Sequence, residues 1–276
     1  MPETPVPSVA LSDGALVPQL GLGVYKVADD EARTVVATAL ELGYRHVDTA
    51  SFYGNEVGVG QAIRASDVPR DEVFVTTKVW NTEQGFDETL RAFDASLDRL
   101  GTDHVDLYLI HWPAPTQDRY VETWRALERI AEEGRARSIG VSNFQVHHLE
   151  RLLGETSVVP VIDQVEAHPW LQQHELREFC AARGIAVEAW SPLARGRVLD
   201  DAVVGRVAAK HGVQPAQAVI RWHLQQGLVV IPKTVSPVRL RSNLDVFGFE
   251  LDEDDLAAFA ALDSGERSGS HPDQVG

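Results

Sequence analysis

Asp48, Tyr53, Lys78 and His111 each stand at, or just after, the end of a short apolar run of the chain. These four side chains can donate, accept or stabilise a proton, whereas the residues before them are mostly apolar. In a barrel of parallel strands, the active site is built from the carboxyl ends of the strands and the loops that follow them. We therefore expect the four residues to meet at one end of a barrel as a proton-donating site.

The chemistry of such a site follows from the four residue types. A tyrosine hydroxyl has an ordinary pKa of about 10, so Tyr53 would be a stable but reluctant proton donor at neutral pH. Lys78 beside it would stabilise the phenolate and lower that pKa, and Asp48 would hold Lys78 charged and oriented. His111 could donate a hydrogen bond to a carbonyl oxygen. The set therefore predicts that a polarised carbonyl group receives a proton here.

These residues depend on a repeated pattern of short strands and amphipathic helices. From Leu20 onward a β-rich run, a loop and a helix alternate, which is typical of parallel strands joined by helical crossovers. Eight such units in a chain of 276 residues predict a single α/β domain over residues 1–276, folded as a closed (β/α)8 TIM barrel. The predicted strands are Leu20–Tyr25, Arg45–Asp48, Val73–Lys78, Val105–His111, Ser138–Ser142, Val161–Glu166, Ala186–Trp190 and Leu228–Lys233.

The two ends of the chain fall outside this repeat. The run Val9–Val17 has Asp13 and Gly14 between two apolar stretches, which predicts an N-terminal β-hairpin that covers one end of the barrel. After the last unit we expect an extra C-terminal helix over Glu253–Leu262 and an irregular tail from Ser264. No stretch is rich enough in proline, glycine or serine to divide the chain into domains.

Polar residues follow most of the predicted strands. Taken singly, each has a structural explanation: Asp48 could cap the next segment, Lys78 could be solvated, and His111 could be a hydrogen-bonded structural histidine. Their joint occurrence after consecutive apolar strands favours a common site over these separate explanations. The strand-end residues are Asp48, Tyr53, Lys78, His111, Ser142, Asn143, Gln164, Glu166, Trp190 and Lys233.

Reduction of a carbonyl also needs a hydride, which no side chain supplies, so the site implies a nicotinamide cofactor. The stretch Gly58–Ile63 lacks the third glycine of a Rossmann fingerprint and follows a loop, so we interpret it as helix packing. The run Lys233–Arg239 instead places two cations and two hydroxyls after the eighth strand, at the phosphate-binding end of a barrel. Hydroxyls and an arginine fork suit a phosphate monoester such as the 2′-phosphate of NADPH.

Five segments, in this order and at these spacings, resemble the signatures of the aldo-keto reductases, and the resemblance covers essentially the whole chain. The segments are Gly43–Glu56, Lys78–Trp80, His111–Pro113, Gly140–Phe144 and Ile231–Ser236. The resemblance implies Asp48, Tyr53, Lys78 and His111 as a catalytic tetrad, with Tyr53 as the proton donor. It also implies a monomeric, NADPH-dependent reductase of aldehydes and ketones.

The resemblance implies two sets of binding residues as well. Ser142, Asn143 and Gln164 would hold the nicotinamide carboxamide, and Trp190 would stack on the nicotinamide ring. The residues expected at the adenosine 2′-phosphate end are Lys233, Ser236, Arg239 and Asn243. The complete expected cofactor set adds Gly23, Val24, Ser191, Leu193, Thr234 and Val235 to these residues. The expected substrate-binding set is His111 with the aromatic residues Tyr25, Phe52, Trp80 and Trp112, each of which could also be ordinary core packing.

Three positions depart from the common pattern of the family. Trp190 occupies a position where many members of the family have tyrosine. A tryptophan there is shared with the bacterial 2,5-diketo-D-gluconate reductases, which the chain resembles most. This makes 2,5-diketo-D-gluconate, or a related keto compound, a candidate substrate. Ser242 stands where many members have an acid just before the adenine-contacting Asn243, and Thr234 replaces a serine.

The bulk composition limits the other classes of function. A formal net charge of -16 at pH 7, with a sequence pI of about 5.0, argues against nucleic-acid binding, which needs clustered excess lysine and arginine. The N-terminus lacks the features of a signal peptide, and no apolar run approaches the ~18 residues of a membrane span. We therefore expect a cytoplasmic protein without a membrane partner. Its single cysteine, Cys180, forms no intrachain disulfide and is expected to be buried and inert.

Two other functions fit part of the sequence. His46, Asp48, His111 and His168 offer ligands for a metal-dependent barrel hydrolase, but this alternative leaves Tyr53 without a role. We therefore expect no metal. The non-enzymatic alternative is a cofactor-sensing subunit of a larger assembly, and the intact set of four residues argues against it.

Overall fold

The computed structural model describes residues 6–276. Two short antiparallel strands, β1 (Ser8–Ala10) and β2 (Leu16–Pro18), form the predicted N-terminal hairpin. The chain reverses between them at Gly14, whose φ of +90° is readily adopted by glycine. Residues 1–5, which belong to the segment judged not to be a signal peptide, lie outside the described range.

Within the described residues, eight parallel strands form one sheet whose spatial order follows the chain. They are β3 (Leu22–Gly23), β4 (His46–Asp48), β5 (Phe74–Val79), β6 (Val105–Ile110), β7 (Ala136–Ser142), β8 (Ile162–Glu166), β9 (Ala186–Trp190) and β10 (Val229–Val230). The sheet closes on itself because the amide of Gly21 donates to the carbonyl of Val230 and the amide of Val230 donates to the carbonyl of Gln19, both at 2.9 Å. The predicted α/β barrel of eight strands is therefore confirmed.

Each strand of the ring is followed by at least one helix, and two helices follow each of β9 and β10. The helices are α1 (Asp29–Leu42), α2 (Glu56–Ala65), α3 (Phe86–Leu100), α4 (Tyr120–Glu132), α5 (Val146–Glu155), α6 (His174–Ala181), α7 (Ala202–His211), α8 (Pro215–Gln225), α9 (Pro237–Leu244) and α10 (Glu253–Ala260). Short 3-10 segments occupy Ser51–Tyr53, Arg70–Glu72, Asn81–Glu83, Ala194–Asp200 and Pro272–Gln274. Of the residues the structure describes, none forms a helix both long and apolar enough to cross a membrane.

The predicted bounds of the strands are least accurate for the first and last strands, where the ring closes. The first strand covers only Leu22–Gly23 and the last only Val229–Val230, whereas longer runs were expected. Pro232 has no amide hydrogen and cannot continue the ladder after β10, so the chain leaves the sheet there. At the other end of the chain, the helix expected to reach Leu262 stops at Ala260. The remaining predicted strands differ from the structure by at most two residues at an end.

The hairpin packs under the amino ends of the barrel strands. Leu11 and Val17 lie in one buried cluster with Leu107, Leu109 and Ile162, which come from β6 and β8. Burying a side chain of this size contributes about 1.5–3 kcal/mol, so the hairpin is a stabilising plug rather than an appendage. The predicted position of the hairpin at one end of the barrel is confirmed.

The glycine-rich stretch in α2 serves helix packing, as the sequence indicated. A Cβ atom added to Gly58 would lie 2.0 Å from the carbonyl oxygen of Asp29 in α1, and one added to Gly60 would lie 2.0 Å from the carbonyl oxygen of Leu100 in α3. Since real atoms do not approach so closely, any larger residue would push the helices apart. Helix α3 also packs on β5, so this packing supports a strand that ends in the site.

Candidate active site

The carboxyl end of the ring brings the four predicted catalytic side chains together. Lys78 is fully buried, and its Nζ atom lies 2.8 Å from both carboxylate oxygens of Asp48 and 2.8 Å from the carbonyl oxygen of Thr49. The same Nζ atom lies 3.5 Å from the hydroxyl oxygen of Tyr53. The rings of Tyr53 and His111 meet edge to face with their centroids 5.5 Å apart.

The loop after β4 fixes Tyr53 in this position. Tyr53 is the last residue of a 3-10 turn that begins at Ser51. Gly54 follows it and caps the turn with a left-handed φ of +66°. Ser51 Oγ donates to the carbonyl of Lys78 at 3.0 Å, which ties the turn to β5. Buried Asn55 then accepts from the Thr49 hydroxyl at 2.7 Å and donates to two carbonyls of the loop after β3. The turn is therefore held from three sides.

The electrostatics of this cluster correct one prediction. Burial raises the pKa of Tyr53 well above its ordinary value, and the neighbouring Asp48 carboxylate raises it further. The prediction that Lys78 lowers the pKa of Tyr53 is therefore wrong. Both carboxylate oxygens of Asp48 contact Lys78 and offset its charge. Burial, together with the Lys78 charge, lowers the pKa of His111 well below its ordinary value. At neutral pH the site therefore presents a protonated phenol and a neutral imidazole.

Aromatic side chains surround the mouth of the site. Phe52 and Trp80 stack with their centroids 3.7 Å apart, and Trp80 meets His111 edge to face at 5.1 Å. Tyr25 lies 5.0 Å from Tyr53. Phe52 is 51% exposed and Tyr25 is 44% exposed, so these rings are not core residues. On the opposite side, Trp112 and Trp190 approach to 6.4 Å. The five aromatic residues form an apolar rim above the phenol and the imidazole.

Ser142, Asn143 and Trp190 form a linked group beside His111. The Ser142 hydroxyl donates to the carbonyl of Gln164 at 2.7 Å. Asn143 Nδ2 donates to the His111 carbonyl at 2.8 Å and to Ser142 Oγ at 3.1 Å, and Asn143 Oδ1 accepts from Trp190 Nε1 at 2.9 Å. Asn143 has a φ of +64°, a strained conformation for a residue other than glycine. Such strain is typical of residues that the surrounding structure holds for a function.

Gln164 lies between two buried acids. Its Nε2 atom donates to Asp48 Oδ2 at 2.8 Å and to Glu188 Oε2 at 2.9 Å. Glu188 was not predicted from the sequence, although it is fully buried and belongs to the same hydrogen-bonded network as Lys78. Gln164 therefore connects the proton-donating group to the neighbouring strand β9.

The remaining predicted cofactor residues lie on the loops around the same end of the barrel. Ser236 begins α9 and accepts from the Arg239 amide at 3.5 Å, and Thr234 Oγ1 accepts from the Ser236 amide at 3.2 Å. Within residues 6–276, the exposed side chains of Lys233 and Arg239 form no salt bridge. Asn243 is buried in the same helix. Val235 is exposed. The other predicted members are buried or half-buried at or just after the ends of β3 and β9: Gly23, Val24, Ser191 and Leu193.

The C-terminal tail reaches the site, which the sequence did not indicate. Apart from one 3-10 turn it is irregular, as expected, but the amides of Ser268 and Gly269 donate to Glu166 at 2.6 and 3.0 Å. A Cβ atom added to Gly269 would lie 2.5 Å from the ring of Trp190. The tail is therefore an ordered strap across the mouth of the barrel, attached through the end of β8.

The structure separates the ligands of the metal alternative. His46 is buried inside the barrel, 3.2 Å from Thr76, and His168 contacts Glu166 at 3.2 Å. Over residues 6–276, the one group of three histidine, cysteine or acidic side chains with converging atoms is His147, His148 and Asp273. There the Nδ1 atom of His148 accepts from the Gln145 amide, so Nε2 carries the proton and offers no lone pair to a metal, although it lies 3.4 Å from Asp273 Oδ1.

A model of the Aldo/keto reductase family matches residues 19–264. The chain belongs to the aldo/keto reductase family. The glyoxal reductase of Bacillus subtilis (strain 168) is 49% identical over 276 residues, which are 100% of this chain and 99% of that protein. The methylglyoxal reductase DkgA of Escherichia coli (strain K12) is 50% identical over 273 residues, which are 97% of this chain and 98% of that protein.

A solved structure of similar sequence and fold agrees with this assignment. A crystal structure of a Gox0644 mutant in complex with NADPH has a TM-score of 0.95 and 50% identity, and covers 99% of this chain and 100% of that chain. The family prediction is thus confirmed, and the chain is an oxidoreductase of that family. The names of these relatives support the family and not the narrower resemblance to 2,5-diketo-D-gluconate reductases.

Proposed function

We propose that this aldo/keto reductase uses NADPH to reduce aldehyde and ketone carbonyls, with Tyr53 as the proton donor. The observation that carries the proposal is the contact of Lys78 with both oxygens of Asp48 and, at 3.5 Å, with the Tyr53 hydroxyl. This group lies under an aromatic rim that a small carbonyl compound could enter. The complex of the related Gox0644 mutant with NADPH supports the choice of cofactor.

Each side chain then has a role that its surroundings support. Tyr53 holds its proton at neutral pH and releases it to the carbonyl oxygen, while Lys78 stabilises the phenolate that forms. Neutral His111 donates a hydrogen bond to the same oxygen. The nicotinamide, when bound, supplies the hydride. The residues present fit that group. Among the described residues Gln164 Oε1 has no partner, and Lys233 and Arg239 form no salt bridge and are available for phosphate.

We further propose that the substrates are small dicarbonyl compounds. The relatives from B. subtilis and E. coli carry the names glyoxal reductase and methylglyoxal reductase. In this chain the stacked pair of Phe52 and Trp80 narrows the mouth beside His111, which favours compact substrates. The larger 2,5-diketo-D-gluconate remains a second candidate, on the resemblance of the segment around Trp190. The family resemblance supports a monomer formed by one domain over residues 1–276, and the acidic composition is typical of a cytoplasmic protein.

Steady-state oxidation of NADPH tests this function directly. Purified protein is assayed with glyoxal, methylglyoxal and 2,5-diketo-D-gluconate, and each assay is repeated with NADH. We expect the highest kcat/KM with an α-dicarbonyl and NADPH. Absence of turnover with every carbonyl would contradict the proposed reduction, and equal kcat/KM with NADH would contradict the proposed cofactor. Light scattering of the same sample measures the oligomeric state.

A further inference from the structure

Glu188 is a buried acid that the proposed chemistry does not use. It lies on β9 directly beside Gln164 on β8, since the two residues are register partners in the parallel ladder. Its Oε2 atom accepts from Gln164 Nε2, while Oε1 is buried 3.6 Å from His46 Nε2 and has no hydrogen-bond partner among the described residues. A buried carboxyl group is costly unless its contacts serve a purpose, so its position next to the tetrad requires an explanation.

The two acids beside Gln164 determine which way its amide group points. An amide nitrogen carries two hydrogens, and here Asp48 and Glu188 accept one each. Rotation of the amide by 180° would remove both hydrogen bonds and turn its carbonyl oxygen toward the Asp48 carboxylate, which can only accept. The oxygen Oε1 is therefore directed away from the acids and has no partner within the described residues.

The neighbouring polar groups are already engaged. The Ser142 hydroxyl donates to the backbone carbonyl of Gln164, and both Nδ2 hydrogens of Asn143 are used, one by the backbone carbonyl of His111 and one by Ser142 Oγ. Gln164 Oε1 thus remains as a fixed acceptor in this part of the site. An acceptor in a fixed position distinguishes a ligand that has an N–H group from one that lacks it, because the latter covers the acceptor and leaves it unpaired.

We propose that Glu188 is a positioning residue that, together with Asp48, orients Gln164 so that its Oε1 accepts a hydrogen bond from the carboxamide N–H of the nicotinamide. The inference rests on the proposed function, in which this end of the barrel holds NADPH. It explains the buried acid by its contact with Gln164 rather than by proton transfer. Burial and the neighbouring Asp48 also raise the pKa of Glu188 to about 8, and a neutral carboxylic acid still accepts from an amide.

The test compares NADPH with its reduced 3-acetylpyridine analogue, in which a methyl ketone replaces the carboxamide and no N–H is present. Dissociation constants are measured by quenching of tryptophan fluorescence for the wild type, Glu188→Met and Glu188→Gln. We expect Glu188→Met to weaken NADPH binding about five- to tenfold and to leave the analogue unchanged, since one oriented hydrogen bond is lost. Glu188→Gln keeps an acceptor of the same shape and should restore the wild-type ratio of the two constants.

A purely structural role would weaken both ligands equally in Glu188→Met, and that result would overturn the inference. If Glu188→Met does not fold, Glu188→Asp withdraws the carboxyl by one methylene and should show the same selective loss. Gln164→Met separates the inference from the function on which it rests. A selective loss in Gln164→Met but not in the Glu188 variants overturns the role of Glu188 alone. If no variant shows a selective loss, the assignment of Gln164 to the carboxamide is overturned as well. Turnover of NADPH by the wild type tests the proposed function separately.

Discussion

The two ends of the candidate cofactor site are built in opposite ways. At the inner end Lys78 is fully buried and makes four polar contacts at 2.8 to 3.5 Å, to Asp48, Thr49 and Tyr53. At the outer end Lys233 and Arg239 extend into solvent and form no salt bridge with any residue in the range 6–276. Both ends carry positive charge, but only the inner one is fixed by the protein before a ligand arrives.

This difference separates chemistry from affinity. A buried, hydrogen-bonded group needs no reorganisation during a reaction, so changes at the inner end should reduce kcat. A solvated cation adds affinity for an anion and is screened by salt, so changes at the outer end should alter Kd and leave kcat nearly unchanged. The following variants test whether the two ends act independently.

The largest effect is expected from Tyr53→Phe, which removes the donated proton and keeps the ring. Loss of a general acid reduces kcat by about 10² to 10⁴. NADPH affinity, measured by tryptophan quenching, should stay within about threefold of wild type, because the hydroxyl is not expected to contact phosphate. Tyr108→Phe is the matched control, since the Tyr108 hydroxyl is buried without a partner among the described residues. A Tyr53→Phe enzyme with more than about a tenth of the wild-type kcat would exclude Tyr53 as the donor.

Lys78→Met tests the same cluster through its charge. The variant leaves the Asp48 carboxylate buried and unpaired beside the phenol, so formation of the phenolate becomes unfavourable and kcat should fall about 10² or more. Breaking one partner of a buried pair should also reduce the free energy of unfolding by about 3–5 kcal/mol. The double variant Asp48→Asn with Lys78→Met removes both charges. It should recover much of the stability in thermal unfolding but none of the turnover, and a recovery of both would refute the role of Lys78.

At the outer end, Arg239→Ala should weaken NADPH binding about ten- to a hundredfold and leave NADH nearly unchanged, because NADH lacks the 2′-phosphate. Arg241→Ala, an exposed arginine on the same helix, is the control and should change neither constant. The difference between wild type and Arg239→Ala should shrink in high salt. Equal losses for both cofactors would show that Arg239 does not recognise the 2′-phosphate.

The inner end was largely predictable from sequence and its supporting residues were not. Asp48, Lys78 and His111 follow apolar strands, so the rule for barrel active sites places them together. Glu188 was not predicted because it is a single acid inside a predicted strand. Its hydrogen-bond partner, Gln164, lies 24 positions away in the chain. The tail also carries no sequence signal, because Ser268 and Gly269 bind Glu166 mainly through backbone amides.

The last expected effect concerns the pH dependence of stability and links Glu188 to the inner end. Its pKa is raised in the folded protein from 4.5 to about 8, so between these values the folded state holds a proton that the unfolded state has released. The contribution of Glu188 to stability is therefore complete below about pH 4.5 and is lost as the pH rises through about 8. Glu188→Gln cannot titrate. Denaturant unfolding from pH 5 to 8 should show wild-type stability falling relative to this variant, and parallel curves would mean that Glu188 is already ionised among its buried neighbours.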